Sequence, residues 1–354
     1  MLTHSVRGSP PVQVGSEMVD EEILGTQIGR NMSKVLDSIL HGYDARVRPM
    51  PEDDPSKPTQ IKVDLNIRSM GPISEIDRSY SMDCYFRQTW NDPRLRYSGP
   101  SKEIAVHIAL LEKLWKPDTY FLNGKDSYIH MITTANKLLR ISADGTIFYS
   151  MRLTIKADCP MDLQAYPMDT QHCPLTILSF AHGANFLEYI WKYGNNQSIV
   201  VNEDVKLSQF DIASYSHQND STMLKDMSFS SLHVVFKLQR HMGYFLLQVY
   251  VPAILLVAMS WVTFWLNREA TSDRVGLGIT VILTLTTMSR GNDRDLPQVP
   301  YATALELYVQ MCFTFLILSM FEFVGVHYFT KHGGGDYHNI DYCVILWAVV
   351  RNKI

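Results

Sequence analysis

The feature that most restricts what this chain can become is the stretch Gly243 to Leu266, GYFLLQVYVPAILLVAMSWVTFWL, 24 residues without a charge. A helix rises about 1.5 Å per residue, so about 20 apolar residues cross a hydrocarbon core about 30 Å thick. A helix buried in a soluble core is normally shorter and keeps a polar stripe, so the run predicts a membrane span. Pro252 is tolerable inside it because neighbouring helices can satisfy the carbonyl that proline leaves free. A second run, centred on Leu307 to Met320 and taken from 304 to 329, reaches spanning length with Glu322 and His327 interrupting its later part. Between them Val275 to Ser289 is 15 residues long, carries four threonines and is bounded by Arg274 and Arg290. That segment is a poor partner for lipid and reads as a helix with one face toward water.

The rest is mixed and polar. The chain divides into a disordered segment at 1–19, a folded domain at 20–242, helices at 243–266, 275–289 and 304–329, and a short tail at 330–354. Lys and Arg number 32 against 36 Asp and Glu, a net charge of −4, which lacks the basic excess of a nucleic-acid binder. Cys159 and Cys173, with sequons at Asn31, Asn196 and Asn219, place the polar half in an oxidising lumen, where thiols pair and glycans are added. Met1 to Val14 has no apolar core of a secretory signal, so these residues leave the route to that lumen unaccounted for.

Asp20 to Leu40 has apolar residues at Ile23, Leu24, Ile28, Met32, Val35 and Ile39, which predicts a surface helix ended at Gly42-Tyr43-Asp44. Strict alternation follows. Ile61, Val63, Leu65 and Ile67 alternate with Lys62, Asp64 and Asn66; Met82, Cys84 and Phe86 alternate with Asp83, Tyr85 and Arg87; and Leu232, Val234, Phe236 and Leu238 form a last strand leading into the membrane. With turns at Asn91-Asp92-Pro93 and Ala143-Asp144-Gly145, the pattern predicts an antiparallel, immunoglobulin-like all-β sandwich. G-x-S-x-G, a phosphate loop, H-E-x-x-H and C-x-x-C are all missing, so the sequence points to binding coupled to transport, with no cofactor, and away from enzymatic chemistry.

Cys159-Pro-Met-Asp-Leu-Gln-Ala-Tyr166-Pro167-Met168-Asp169-Thr-Gln-His-Cys173, followed by helices of which the middle one is Thr-rich, resembles the Cys-loop pentameric ligand-gated ion channels. Trp115-Lys-Pro117-Asp118-Thr119-Tyr120-Phe-Leu-Asn123-Gly124-Lys125, Gly42-Tyr43-Asp44-Ala-Arg46-Val-Arg48-Pro49 and Ala302-Thr303-Ala304 are similar to GABA type A receptor subunits, especially alpha-like invertebrate ones. The resemblance covers roughly residues 20 to 331. It implies a disulfide between Cys159 and Cys173, closing a loop that meets Asp293 to Pro300 above the membrane, either as a lever or as a plain staple. It implies an aromatic box for an amine at Tyr120, Phe180 and Phe229, and a complementary face at Tyr85, Arg87 and Ser150 whose Arg can pair with the carboxylate of a zwitterion such as GABA. Independently, alternation sets Asp83, Tyr85 and Arg87 on one face of their strand. Where GABA-binding beta-type subunits carry a Glu, this chain has Leu178, so it is expected to offer mainly its complementary face beside a beta-like subunit.

Helical spacing puts Gly276, Thr280, Leu283 and Thr287 in one row, continued by Arg290 or Arg294. In five copies that row implies a pore with a Leu ring able to dewet, although periodicity alone equally allows Leu283 to pack on a neighbour. Anion-selective relatives have Pro-Ala-Arg at the inner mouth, and this chain has Ser272-Asp273-Arg274. Chloride is the family default; an Asp273 ring would favour cations, unless Asp273 turns aside to Arg274 or caps its helix. The resemblance further implies a lipid-embedded pentamer at the plasma membrane, N-terminus outside, at a postsynaptic site. Tyr342 to Val350 is too short for the family's fourth span, so a missing or truncated fourth helix, and with it a non-conducting isoform, stands as the alternative.

Overall fold

The computed structural model describes residues 32–99, 101–194, 197–202, 205–266, 270–292 and 297–332. The readings placed on 1–19, on Asn31, Asn196 and Arg294, and on the tail after residue 332 lie outside the described residues. Of the expected N-terminal helix, residues 32–40 are helical (α1), with Ile39 and Leu40 packed against the sandwich core.

The larger sheet runs in the order β10 (Ile199–Val201), β1 (Thr59–Ser74), β2 (Ser79–Asn91), β7 (Thr146–Asp158), β6 (Lys137–Ser142), β3 (Glu103–Val106), with β9 (Leu187–Trp191) also on β1 and β5 (Tyr128–Ile129) on β7. The smaller sheet is β11 (Phe210–Leu224), β12 (Met227–Arg240), β8 (Thr170–Ser179), β4 (Thr119–Phe121). The predicted alternation holds, because Ile61, Val63, Leu65, Ile67, Met82, Cys84, Phe86, Leu232, Val234, Phe236 and Leu238 are all buried. Rings tie the sheets together: Tyr80 of β2 meets Phe236 of β12, and Phe86 of β2 meets Phe121 of β4, edge to face at 6.1 and 5.4 Å.

Two expectations are corrected. The sandwich is not purely antiparallel, since β9 and β10 pair parallel with β1; the chain after β8 crosses back to cover the far edge of the larger sheet. Asp64, read as part of a solvent-facing row, is buried at 5% exposure, because Arg87 and Lys192 close over it.

The Gly42-Tyr43-Asp44 stretch does more than end α1. The Tyr43 hydroxyl donates to Asp92 Oδ2 at 2.9 Å and accepts the Trp115 N–H at 3.2 Å. Burial, then the Asp92 carboxylate, push the Tyr43 phenol well above its ordinary value, so it remains a donor. Asp92 also takes two hydrogen bonds from Arg94, each 2.8 Å, and thereby fixes the turn after β2. Gly145 rests against that turn with φ +85°, and a Cβ there would lie 2.6 Å from the Asp92 carbonyl oxygen.

Among the described residues, two helical segments are long and apolar enough to cross a membrane: α2, Gly243–Trp265, and the run Ala304–Phe329 within α4, Ala304–His332. In α2 the turn Leu246–Tyr250 is a π-turn directly before Pro252; the widened turn accommodates the proline ring, which would otherwise collide with the carbonyl of residue 248. The Thr-rich helix α3, Thr271–Asn292, is longer than the predicted 275–289 and includes Asp273 and Arg274. Its hydroxyls at Thr280, Thr284, Thr286 and Thr287 donate to carbonyls three or four residues back, so each finds an acceptor within the helix itself. The helices pack through Ala253, Val281, Leu285, Cys312 and Leu316, and Met320 of α4 presses so closely on Gly278 that a Cβ there would displace the Met320 thioether.

Gly145→Ala is expected to destabilise the sandwich by about 1–3 kcal/mol, from the left-handed backbone and the clash with Asp92. A lower thermal unfolding midpoint of the purified protein checks this; an unchanged midpoint contradicts it.

Candidate functional site

The predicted site residues form two groups on different sheets. On the smaller sheet, Tyr120 of β4 lies opposite Leu178 of β8, and Phe180 follows the end of β8. Because its neighbour Phe121 points into the core, Tyr120 faces outward, and the Phe180 ring meets it edge to face at 5.3 Å. Phe180 is 73% exposed, whereas Phe229 of β12 is buried at 7%. Leu178 is fully buried.

Asp118 holds Phe180 out. Its carbonyl accepts the Phe180 N–H at 3.1 Å, and its carboxylate accepts the Ser179 hydroxyl at 2.6 Å and the Ala181 N–H at 2.7 Å, with His182 Nδ1 3.2 Å away. Burial opposes the charge on Asp118, but the hydrogen bonds from Ser179 and Ala181 outweigh it and hold the carboxyl below its ordinary value. A depressed carboxyl stabilises above its unfolded pKa and loses that contribution as pH falls through the folded one, so the clamp is at full strength near neutrality. Sequence reasoning assigned Asp118 no role; the one signal was its place directly before Thr119-Tyr120.

On the larger sheet, Tyr85 and Arg87 of β2 face away from the core, since Cys84 and Phe86 are buried. Ser150 of β7 is the direct register partner of Arg87. The Arg87 guanidinium lies 5.9 Å from the centre of the Tyr85 ring and 3.3 Å from Asp64 Oδ2. Each group is thus assembled within the chain, but the two face outward from opposite sheets and do not meet.

The loop beneath them ties the sandwich to the membrane helices. Cys159 and Cys173 are bonded, with Cα atoms 4.7 Å apart, as the resemblance implied. Leu163 and Tyr166 of that loop are buried among Val249 of α2 and Leu305 of α4, and the Leu163 N–H donates to the Tyr301 hydroxyl at 3.1 Å. The carbonyls of Gln164 and Tyr166 accept the N–H groups of Ala304 and Leu305 at 2.9 and 3.1 Å. The first amides of a helix have no partner within it, so the loop itself caps α4. Thr303 and Glu306 complete the cap reciprocally, at 2.9 and 3.2 Å. The contact expected at Asp293 to Pro300 is made by Val299 and extends to Tyr301 and the start of α4, with 293–296 outside the described residues.

Arg240, last residue of β12, joins this junction. Its side chain is 1% exposed, with Nε 2.7 Å from Asp169 in the loop and Nη1 2.5 Å from Glu75 after β1. Burial opposes its charge, but the two carboxylates prevail and raise its pKa above the ordinary arginine value. The rings of Tyr166 and Phe210 lie 4.7 and 4.4 Å from its guanidinium carbon.

On α3, Gly276, Thr280, Leu283 and Thr287 are all exposed, Leu283 at 62%, on the side away from buried Val281 and Leu285. Asp273 is exposed in the same row. Arg274, next to Asp273 in sequence, has a buried side chain that donates to the Leu266 carbonyl and lies 5.3 Å from the centre of the Phe323 ring. One residue is about 100° of helix, which is enough to turn it into the bundle. Asn219 stands exposed on β11.

A recognition domain bolted by a disulfide-closed loop to the first turn of a membrane helix is the plan of a ligand-responsive membrane receptor with its binding domain outside the lipid. Comparison with known proteins makes the class specific. The neurotransmitter-gated ion-channel ligand binding domain matches residues 32–242, and the neurotransmitter-gated ion-channel transmembrane region matches residues 249–339. A gamma-aminobutyric acid receptor alpha-like protein of Drosophila melanogaster is 40% identical over 86% of this chain and 55% of its own length. The alpha-6 subunit of the Gallus gallus receptor is 41% identical over 87% of this chain and 66% of that protein, and the human alpha-3 subunit 41% over 84% and 60%. This chain belongs to the neurotransmitter-gated ion-channel family, a family of channels and not of enzymes, and spans 55–66% of the length of these relatives.

Removing Arg240 leaves Asp169 buried without its counter-charge. Arg240→Gln is expected to cost about 3–5 kcal/mol, and Arg240→Gln with Asp169→Asn less than the single change. Thermal unfolding of the purified variants checks both; equal loss in single and double variants contradicts the pairing.

Proposed function

We propose that this chain is a subunit of a GABA-gated pentameric channel, with agonist bound between the Tyr120, Phe180 and Phe229 side of one subunit and the Tyr85, Arg87 and Ser150 side of the next. The observation that carries this reading is the division of the site: an aromatic half faces out from one sheet and a guanidinium half from the other, so the halves close around one ligand only when a neighbour supplies the second. Aromatic faces attract an ammonium and exclude water, and a guanidinium holds a carboxylate in charge-assisted hydrogen bonds. A small zwitterionic amino acid carries both groups, and the names of the similar proteins specify gamma-aminobutyric acid. With Leu178 buried where a ligand-binding Glu stands in beta-type relatives, this chain serves mainly through its Arg87 face, next to a beta-like subunit.

The receptor lies in the plasma membrane at postsynaptic sites, among lipid, with glycans on Asn31, Asn196 and Asn219. Closure around the agonist moves the 159–173 loop, which carries α4 and through it α3. There Gly276, Thr280, Leu283 and Thr287 face the five-fold axis, and the Leu283 ring gates by dewetting. Chloride is the default ion. Cation conduction is a second reading, favoured by the exposed Asp273 in the pore row and the inward-turned Arg274 beside it.

Voltage clamp of cells expressing the chain alone and with a beta-like subunit, under GABA and chloride replacement, tests the proposal. Current from the co-expressed pair with a reversal potential that tracks chloride is expected; reversal that follows sodium makes Asp273 the selectivity residue, and no current from either combination overturns the proposal. In the pair, Arg87→Ala should raise the half-maximal GABA concentration about 10–100-fold, the loss of a charged hydrogen bond. Asp118→Ala, which loosens Phe180 on the other face, should change it less than about threefold, because ring contacts with a cation at an exposed site are weak.

A further inference from the structure

The outer face of the larger sheet carries a row of alternating charge that the agonist site as described does not use in full. Lys192 follows β9, and its N–H donates to the Val63 carbonyl at 3.0 Å, which sets its side chain beside Asp64 of β1. Asp64 is the register partner of Arg87, and Arg87 the partner of Ser150. Asp64 Oδ2 lies 3.3 Å from Arg87 Nη1, and Oδ1 lies 3.7 Å from Lys192 Nζ. The Asp64 side chain is 7% exposed, and its Oδ1 is buried without a hydrogen-bond partner, so its charge leans on these two cations. The Lys192 ammonium is steadied by the rings of Phe148 and Tyr193, 5.4 and 5.0 Å away.

Two cations on one buried carboxylate leave a single positive charge in excess, which is what one ligand carboxylate neutralises. If Arg87 were the sole counter-ion of Asp64, an incoming carboxylate would have to strip a buried charge of its partner. With Lys192 in place, Asp64 stays compensated while the guanidinium turns outward. We infer that Lys192 is a positioning residue of the complementary half-site: by holding the charge of Asp64 it frees Arg87 for the agonist carboxylate and tunes the face to ligands with one carboxylate. This rests on reading the Arg87 face as the carboxylate-recognising half of the agonist site.

The test is the GABA concentration–response of the receptor co-expressed with a beta-like subunit, for Lys192→Gln, Lys192→Arg, Asp64→Asn and the double change Asp64→Asn with Lys192→Gln, with surface expression measured for each. Lys192→Gln should raise the half-maximal concentration at least about fivefold, with maximal current per surface receptor unchanged, and Lys192→Arg should restore the wild-type value. In the Asp64→Asn background the Lys192→Gln change should shift it less than about twofold, because no buried charge is left to hold. A wild-type response that Lys192→Gln leaves unchanged, or a shift that persists in the Asp64→Asn background, overturns this inference alone. A wild-type receptor that ignores GABA overturns the agonist reading and this inference with it.

Discussion

Arg240 is a cation with almost no water around it, fixed by Asp169 on one side and Glu75 on the other at the point where the sandwich becomes membrane helix. Such a group is tolerable only while both carboxylates stay in place, so three segments distant in sequence must move together or pull a charge out of its cage. The arrangement gives the junction stiffness that apolar contact alone lacks, because packed side chains can slide whereas a buried ion with fixed hydrogen-bond partners cannot. The capping of α4 by the 159–173 loop depends on the same anchor, since Asp169 belongs to the loop whose Gln164 and Tyr166 carbonyls hold the helix amides.

Above that junction the sandwich acts as a frame with two working faces. Its core joins the sheets through Tyr80, Phe86, Phe121 and Phe236, so each strand that packs inward also presents alternate residues outward. Each outward face is organised by a buried or half-buried carboxylate. Asp118 folds the 179–182 turn around itself and holds Phe180 out, and Asp64 gathers Arg87 and Lys192. The exposed side chains of both faces are thus located by less conspicuous acids beneath them.

Much of this was legible in the sequence. The alternation of Ile61 to Ile67, Met82 to Phe86 and Leu232 to Leu238 located three strands whose inward faces are buried, because a half-buried strand writes its two faces into successive residues. The uncharged run at 243 gave α2 by length alone. Long-range pairing left no such trace: nothing in the residues after β8 announces that β9 and β10 return to β1 in parallel. Asp64 looked like one more solvent residue because its burial comes from Lys192, far along the chain. That Arg274 is buried while Asp273 is exposed was not legible, because adjacency in sequence hides the turn of a helix. The expected box at Tyr120, Phe180 and Phe229 was named from resemblance, while Asp118, whose hydrogen bonds hold Phe180, sat unremarked two residues before Tyr120.

The disulfide-closed loop caps the first turn of α4, and in the proposed function that cap is the link between the sandwich and the membrane helices. Hydrogen–deuterium exchange on a peptide covering Thr303 to Tyr308, in the intact receptor before and after reduction of the Cys159–Cys173 bond, tests it most directly. Protected amides at Ala304 and Leu305 are expected in the oxidised receptor, with faster exchange once the loop is released. Protection that is unchanged by reduction would show that Thr303 and Glu306 cap the helix without the loop, and would contradict the claim.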